Sequence, residues 1–151
     1  MQTIWSAKSG RQVYRLEALY RAAPLGNKSA ESLKTVFTNS RYCCFALEQG
    51  KLIGAGRALA DGADCSYLCD VAVLPSHQGR GVGKEIVAKL VALSRGHRKI
   101  ILYSVPGKEA FYGRFGFQKM LTAMAIFEDQ KQAMEMGYLD KTEPGADCPR
   151  R

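Results

Sequence analysis

Apolar and polar residues recur with two different periods along the chain, and the periods predict helices and strands. In 12–22 and 30–39 the apolar residues are three and four positions apart, as in amphipathic helices, and Ser29 offers an N-cap to the second. Segments 42–49 and 51–61 have strand character on either side of Gln49 and Gly50, a hairpin-turn signal. We predict a further strand at 66–74 and a short one at 3–6.

The second half of the chain follows the same rules. It predicts a helix at 83–95 closed by Gly96, a strand at 99–105 and a short helix ending at Gly116. A last strand at 119–128 and a helical turn at 130–136 follow. The order of elements predicts an α/β fold, a mixed sheet flanked by helices. We expect a single domain over 1–139 and a disordered tail over 140–151.

Charge narrows the classes of partner. The net charge of +8 indicates a surface that attracts anions, either nucleic acid or a polyphosphate ligand. Lysines and arginines are spread along the chain without a recognition motif, so we predict no nucleic-acid binding. No apolar run approaches the roughly 20 residues that span a bilayer, and the N-terminus does not resemble a signal peptide. We therefore predict no membrane association and a cytoplasmic location.

Cysteine usage predicts structural thiols and no metal. The five cysteines are odd in number, form no C-x-x-C pair, and are accompanied by only two histidines on different segments. They are Cys43, Cys44, Cys65, Cys69 and Cys148.

A glycine-rich stretch, "PSHQGRGVGK" at 75–84, lies between a predicted strand and a predicted helix. Backbone N–H groups in such a turn, with the N-terminus of the next helix, form an anion-binding site, and Arg80 and Lys84 would add charge. Gln78 would brace the turn. A Walker A loop is absent, because its first glycine would fall on Gln78 and Glu85 follows Lys84. The dinucleotide fingerprint fails because its last glycine would fall on Lys84 or Ile86.

The pattern that fits is Q-x-x-G-x-G, filled by Gln78, Gly81 and Gly83 after the strand "DVAVLP". A second segment, "AFYGRFGF" at 110–117, places Tyr112 ahead of Gly116 and Phe117. The two segments, in this order, resemble the coenzyme A-binding and tyrosine motifs of the GNAT superfamily of N-acetyltransferases. The resemblance covers about 12–127 and is specific at 67–117.

The resemblance implies a mostly antiparallel sheet whose two central parallel strands splay apart to admit acetyl-CoA. The strand backbone would hold the pantetheine arm, and the glycine turn would hold the pyrophosphate. The cofactor-binding residues so implied are Val71, Ala72, Val73, Gln78, Gly79, Arg80, Gly81, Val82, Gly83 and Lys84.

The implied activity is acetyl-CoA-dependent transfer of an acetyl group to a primary amine. We expect a small-molecule amine. The alternatives are a protein lysine or N-terminus as acceptor, or a CoA-binding regulator without turnover. The resemblance also implies a homodimer.

By the same resemblance Tyr112 would be the general acid, and a strand N–H near Val73 would stabilise the oxyanion. The base stays open. Tyr67 (base or relay) and Asp70 are candidates, with Asp64 at the loop edge, and a water relay is a further alternative. Strand alternation predicts Asp70 on the face opposite Cys69 and Val71, as a cleft-facing base or a buried structural group.

One position departs from the family pattern. Many relatives carry an asparagine that contacts the cofactor seven residues before the tyrosine, and this chain has Val105 there. That contact must be absent or replaced.

Overall fold

The computed structural model describes residues 2–5, 10–23, 25 and 28–141, and the chain divides after Tyr103 into two compact units. In chain order the first unit contains β1 (Gln2–Trp5), α1 (Gly10–Ala22), α2 (Ala30–Thr38), β2 (Tyr42–Glu48), β3 (Lys51–Ala60), β4 (Cys65–Val73), α3 (Val82–Leu93) and β5 (Lys99–Ile101). The second unit contains α4 (Glu109–Gly113) and α5 (Gln130–Glu135). The single domain over 1–139 stays a prediction, and most of the predicted tail lies outside the described residues.

The first unit is built on a mixed sheet with strand order β1-β2-β3-β4-β5, as the predicted α/β class requires. Its first three pairings are antiparallel and β4 pairs with β5 in parallel. The parallel ladder joins Cys65–Tyr67 of β4 to Lys99–Ile101 and ends there. From Leu68 to Val73, within the described residues, β4 is paired with β3 alone. The two parallel strands therefore separate, and β4 keeps an unpaired edge.

Helices cover both faces of this sheet. On one face α1 and α2 enclose an apolar core that includes Leu16, Leu19, Leu33, Phe37, Phe45, Ala55 and Ala72. On the other face α3 packs directly on β3: a Cβ atom added to Gly56 would lie 2.8 Å from Ile86 Cγ2. Burial of these two layers is the main source of the unit's stability.

Local signals for turns and caps are confirmed. Ser29 Oγ accepts a hydrogen bond from the Ser32 backbone N–H at 3.1 Å, which caps α2. Gln49 and Gly50 have φ values of 49° and 74°, the two positive values of the tight turn that joins β2 to β3.

The predicted last strand at 119–128 is wrong, because no strand is found in that part of the described chain. Leu121, Met124 and Ile126 are 91%, 97% and 68% exposed. A run of apolar residues favours a strand, but a strand also needs a neighbour for its N–H and C=O groups, and this segment has none among the described residues. The strand predicted at 99–105 is likewise shorter, and the short helix ends at Gly113 rather than Gly116.

Candidate functional site

The glycine turn follows β4 directly and leads into α3. A 3₁₀ turn at Pro75–His77 comes first, and Gly79 and Gly81 then adopt φ values of 73° and 86°, where a side chain would be strained. The first bond of the α3 ladder is Glu85 N to Gly81 O, 3.0 Å, so the amides of residues 81–84 precede that ladder. Amides placed in this way, together with the positive end of the helix dipole, are suited to binding an anion, and we call residues 78–84 the cradle.

The turn is tied to the unpaired edge of β4. Leu74 N donates to Ile53 O at 2.8 Å, which makes Val73 and its partner Gly54 a non-hydrogen-bonded pair. The N–H and C=O of Val73 therefore point away from β3, toward the unpaired edge. Gln78 Nε2 donates to this Val73 carbonyl oxygen at 3.2 Å, the bracing expected of Gln78.

Glu48, at the end of β2, orients the side chains of Arg80 and His77 at the glycine turn. Its Oε1 accepts from Arg80 Nη2 at 2.9 Å, and its Oε2 lies 2.8 Å from His77 Nε2. The hydrogen bond with His77, followed by that with Arg80, lowers the pKa of the Glu48 carboxyl. Glu48 therefore stays ionised at neutral pH and fixes the side chain of Arg80, a residue of the glycine turn.

A β-bulge interrupts β4 within its unpaired stretch. Arg57 pairs with Cys69 and Ala55 with Ala72, so two residues, Asp70 and Val71, oppose Gly56. Asp70 has a φ of 54°, a value that aspartate tolerates better than most residues. Its carboxylate bonds Arg57, the cross-strand partner of Cys69. The prediction that Asp70 faces away from Cys69 is wrong, because the bulge breaks the two-residue alternation.

Asp70 is held by charged and polar groups from three other elements. Arg57 Nε and Lys28 Nζ donate to separate carboxylate oxygens at 2.6 and 2.7 Å, and the Tyr20 hydroxyl donates to its backbone carbonyl. Burial alone would raise the pKa of Asp70, but the hydrogen bonds from Lys28 and Arg57 outweigh it and hold this pKa below its usual value. Such a carboxylate is a weak proton acceptor, which favours the structural alternative for Asp70.

Lys28 and Arg57 were not predicted from the sequence. The sequence feature that indicated a cationic partner was Asp70, a charged residue within an apolar strand, since a buried carboxylate requires such a partner. The sequence did not indicate which of its 22 lysines and arginines would supply that partner.

The other base candidates differ in surroundings. Tyr67 stacks on Tyr103 with ring centroids 6.3 Å apart, and burial, followed by the neighbouring Cys69, raises the pKa of its hydroxyl. A tyrosine that is harder to ionise suits a proton relay better than a base. Asp64 forms an exposed ion pair with Lys99 at the start of β5.

Tyr112 belongs to α4 in the second unit. Its ring contacts Phe111 and Phe117 edge-to-face, with centroid separations of 5.0 and 6.2 Å. Burial raises the pKa of its hydroxyl, so the group stays protonated at neutral pH. That protonation state is the one a general acid needs. Val105, in the same unit, is 42% exposed, and its carbonyl accepts from Lys108 N at 3.1 Å in the turn before α4.

The comparison with family models decides the classification. Residues 11–117 match the model of the acetyltransferase (GNAT) family, which covers both sequence motifs. The chain belongs to the GNAT family of acetyltransferases. The resemblance of the two motifs to this family is thereby confirmed, together with the predicted fold class.

Curated GNAT relatives have different named activities. The chain is 34% identical over 135 residues to serotonin N-acetyltransferase 2 (chloroplastic) of Oryza sativa subsp. japonica, covering 83% of this chain and 68% of that protein. It is 31% identical over 131 residues to histone acetyltransferase TAP1 of Glycine max, covering 78% of this chain and 56% of that protein. The chain thus spans little more than half the length of the soybean relative.

A solved GNAT structure supports the fold. A GNAT-family acetyltransferase of Streptococcus pneumoniae superposes with a TM-score of 0.68 at 21% identity, covering 85% of this chain and 97% of that one.

Among the helices that the structure describes, none has the length and apolar character to cross a membrane.

Proposed function

We propose that this protein is an acetyl-CoA-dependent N-acetyltransferase that acts on a primary amine. The observation that carries the proposal is the continuity between the unpaired edge of β4 and the glycine cradle at the start of α3. An extended chain ending in a pyrophosphate requires this pair of features: a strand edge for the amides of the chain, then backbone N–H groups for the phosphates.

The residues present fit this cosubstrate. The backbone of Val71, Ala72 and Val73 would pair with the pantetheine arm along the β4 edge. The cradle over 78–84 would hold the pyrophosphate through its N–H groups, with Arg80 and Lys84 adding positive charge. Acetyl-CoA, when bound, supplies an activated acetyl thioester.

The chain's own groups would then act at the thioester. The N–H of Val73 points toward the unpaired edge and would donate to the thioester carbonyl oxygen, where negative charge develops. Tyr112, protonated at neutral pH, would supply the proton that the departing sulfur requires.

The acceptor amine must also lose a proton, because an alkylamine with a pKa of about 10 is mostly protonated at pH 7. We propose that a water molecule takes this proton and that the Tyr67 hydroxyl, acting as a relay, passes a proton on to bulk solvent. Asp70 takes no part in our proposal, because both of its oxygens are bonded to cations.

We favour a small-molecule amine as the acceptor. The rice relative is named a serotonin N-acetyltransferase, and the alignment with it covers more than two thirds of both chains. The soybean relative is named a histone acetyltransferase, which keeps a protein lysine or N-terminus as the alternative. A CoA-binding regulator without turnover is the third candidate. A homodimer in the cytoplasm stays a prediction.

Thiol release from acetyl-CoA tests this proposal. The wild-type protein is assayed with an arylalkylamine, a polyamine, an aminoglycoside and a lysine-containing peptide, and CoA affinity is measured by calorimetry. Turnover with the small amines supports the proposal, and turnover with the peptide alone supports a protein acceptor. CoA binding without turnover on any acceptor would identify a regulator, and absence of CoA binding would overturn the proposal.

A further inference from the structure

The cluster at the β-bulge contains one more cation than charge neutralisation requires. Asp70 carries the negative charge, and Arg57 from the neighbouring strand already pairs with it at 2.6 Å. Lys28 comes from the segment that precedes α2 and bonds the second carboxylate oxygen at 2.7 Å. The Arg57 side chain is 11% exposed and that of Lys28 is 28% exposed. Arg57 therefore suffices to compensate the buried charge, and Lys28 needs another explanation.

The position of the cluster suggests what Lys28 does. Asp70 immediately precedes residues 71–73, the part of the unpaired edge proposed to bind acetyl-CoA, and it has a φ of 54°. A non-glycine residue in this region persists only when its surroundings hold it there. Three contacts do so: the Tyr20 hydroxyl holds the carbonyl, while Arg57 and Lys28 hold the two carboxylate oxygens.

The three contacts differ in where they originate. The Arg57 contact comes from β3, which already pairs with β4 along its length. The Lys28 contact comes from the α1–α2 connection and Tyr20 lies on α1, so these two join the bulge to the helical layer. The Lys28 ion pair therefore fixes the Asp70 side chain to the helical layer, whereas the Arg57 contact fixes it only to the sheet.

We propose that Lys28 is a positioning residue that holds the Asp70 bulge and so preforms the β4 edge that binds acetyl-CoA. The identity of the ligand rests on the proposed function, whereas the positioning role concerns the backbone over 70–73. If Lys28 were an ordinary partly exposed ion pair, its loss would change stability slightly and cofactor affinity not at all.

The experiment compares Lys28→Met with Lys34→Met, which removes an exposed lysine from α2. CoA affinity is measured by calorimetry, backbone hydrogen exchange over 70–73 by mass spectrometry or NMR, and Tm by thermal unfolding. We expect Lys28→Met to raise the Kd for CoA about fivefold and to speed exchange over 70–73, with wild-type values for Lys34→Met. Lys28→Arg should restore both quantities, because it keeps the cation.

The outcomes separate this proposal from the function on which it rests. If the wild type binds no CoA, the proposed function fails, and the exchange rates over 70–73 still support or overturn the positioning role. If the wild type binds CoA and Lys28→Met matches Lys34→Met in both Kd and exchange, the positioning role is overturned. A lower Tm with unchanged Kd also overturns it. Lys28→Gln replaces the methionine variant if that variant does not fold.

Discussion

The side chain of Gln78 donates a hydrogen bond to the backbone carbonyl of Val73, with Nε2 and O 3.2 Å apart. Val73 ends the unpaired edge of β4, and Gln78 begins the glycine turn that leads to α3. This hydrogen bond therefore links the strand edge proposed for the pantetheine arm to the cradle proposed for the pyrophosphate.

Replacing Gln78 with alanine tests this relationship. The variant loses this link between the turn and the end of the strand, and we expect the Kd for CoA to rise about three- to tenfold, as for the loss of one hydrogen bond. The control is Gln118→Ala, an exposed glutamine outside the glycine turn. Equal affinities of the two variants in calorimetry would contradict a bracing role for Gln78.

The conformation of Gly81 gives a second prediction. Gly81 and Gly96 have φ values of 86° and 97°, and a Cβ added to either would meet no atom within 4 Å. Alanine at either position therefore costs about 1–2 kcal/mol of backbone strain without a steric clash. We expect similar losses of Tm for the two variants, but only Gly81→Ala should weaken CoA binding, by tenfold or more. The prediction fails if both variants bind CoA alike.

Much of this fold was predictable from the sequence because its signals are local. The hairpin at Gln49 and Gly50 and the cap at Ser29 each depend on residues a few positions apart. The glycine turn was also predictable, since the spacing of its glycines reflects the backbone geometry of one strand-to-helix connection.

The remaining features depend on contacts between distant parts of the chain. The bulge at Asp70 leaves no mark in the pattern "YLCDVAVL", because it is defined by the register of β4 on β3. Lys28 lies 42 positions from its partner Asp70. The absent strand at 119–128 shows the converse, since its run of apolar residues is clear but the described residues include no neighbouring strand for it.

The ionisation of Asp70 predicts how stability depends on pH. Its folded-state pKa lies below the unfolded value of about 3.9, so its contribution is fully present above that value and is lost as pH falls through the folded-state pKa. We expect Asp70→Asn to lower the free energy of unfolding by about 2–3 kcal/mol at pH 7, since it leaves Arg57 without its counter-charge. The difference from wild type should shrink below about pH 4.

Denaturant unfolding between pH 3 and pH 7 measures this difference, at about half-unit steps. Asp64→Asn is the matched control, because Asp64 pairs with Lys99 on the surface with about half of each side chain exposed. Its effect should be small at every pH. A pH-independent cost for Asp70→Asn would show that the pKa of Asp70 is the same in the folded and unfolded protein, and would contradict this prediction.

Tyr112 gives the prediction that most directly concerns catalysis. Tyr112→Phe removes the hydroxyl proposed to protonate the departing sulfur and leaves the ring contacts with Phe111 and Phe117 in place. We expect kcat to fall at least tenfold, because the loss of a general acid slows the chemical step. The Kd for CoA and Tm should stay near the wild-type values. Tyr138→Phe, which keeps a ring stacked on Phe127 in the same unit, should retain wild-type kcat.

Because burial raises the pKa of Tyr112 above 10.0, any alkaline loss of wild-type kcat that arises from this group should begin above that pH. Thiol-release rates for wild type and both variants across pH 7 to 11 test this, and an unchanged kcat in Tyr112→Phe would remove the tyrosine from the mechanism while leaving the cofactor site intact.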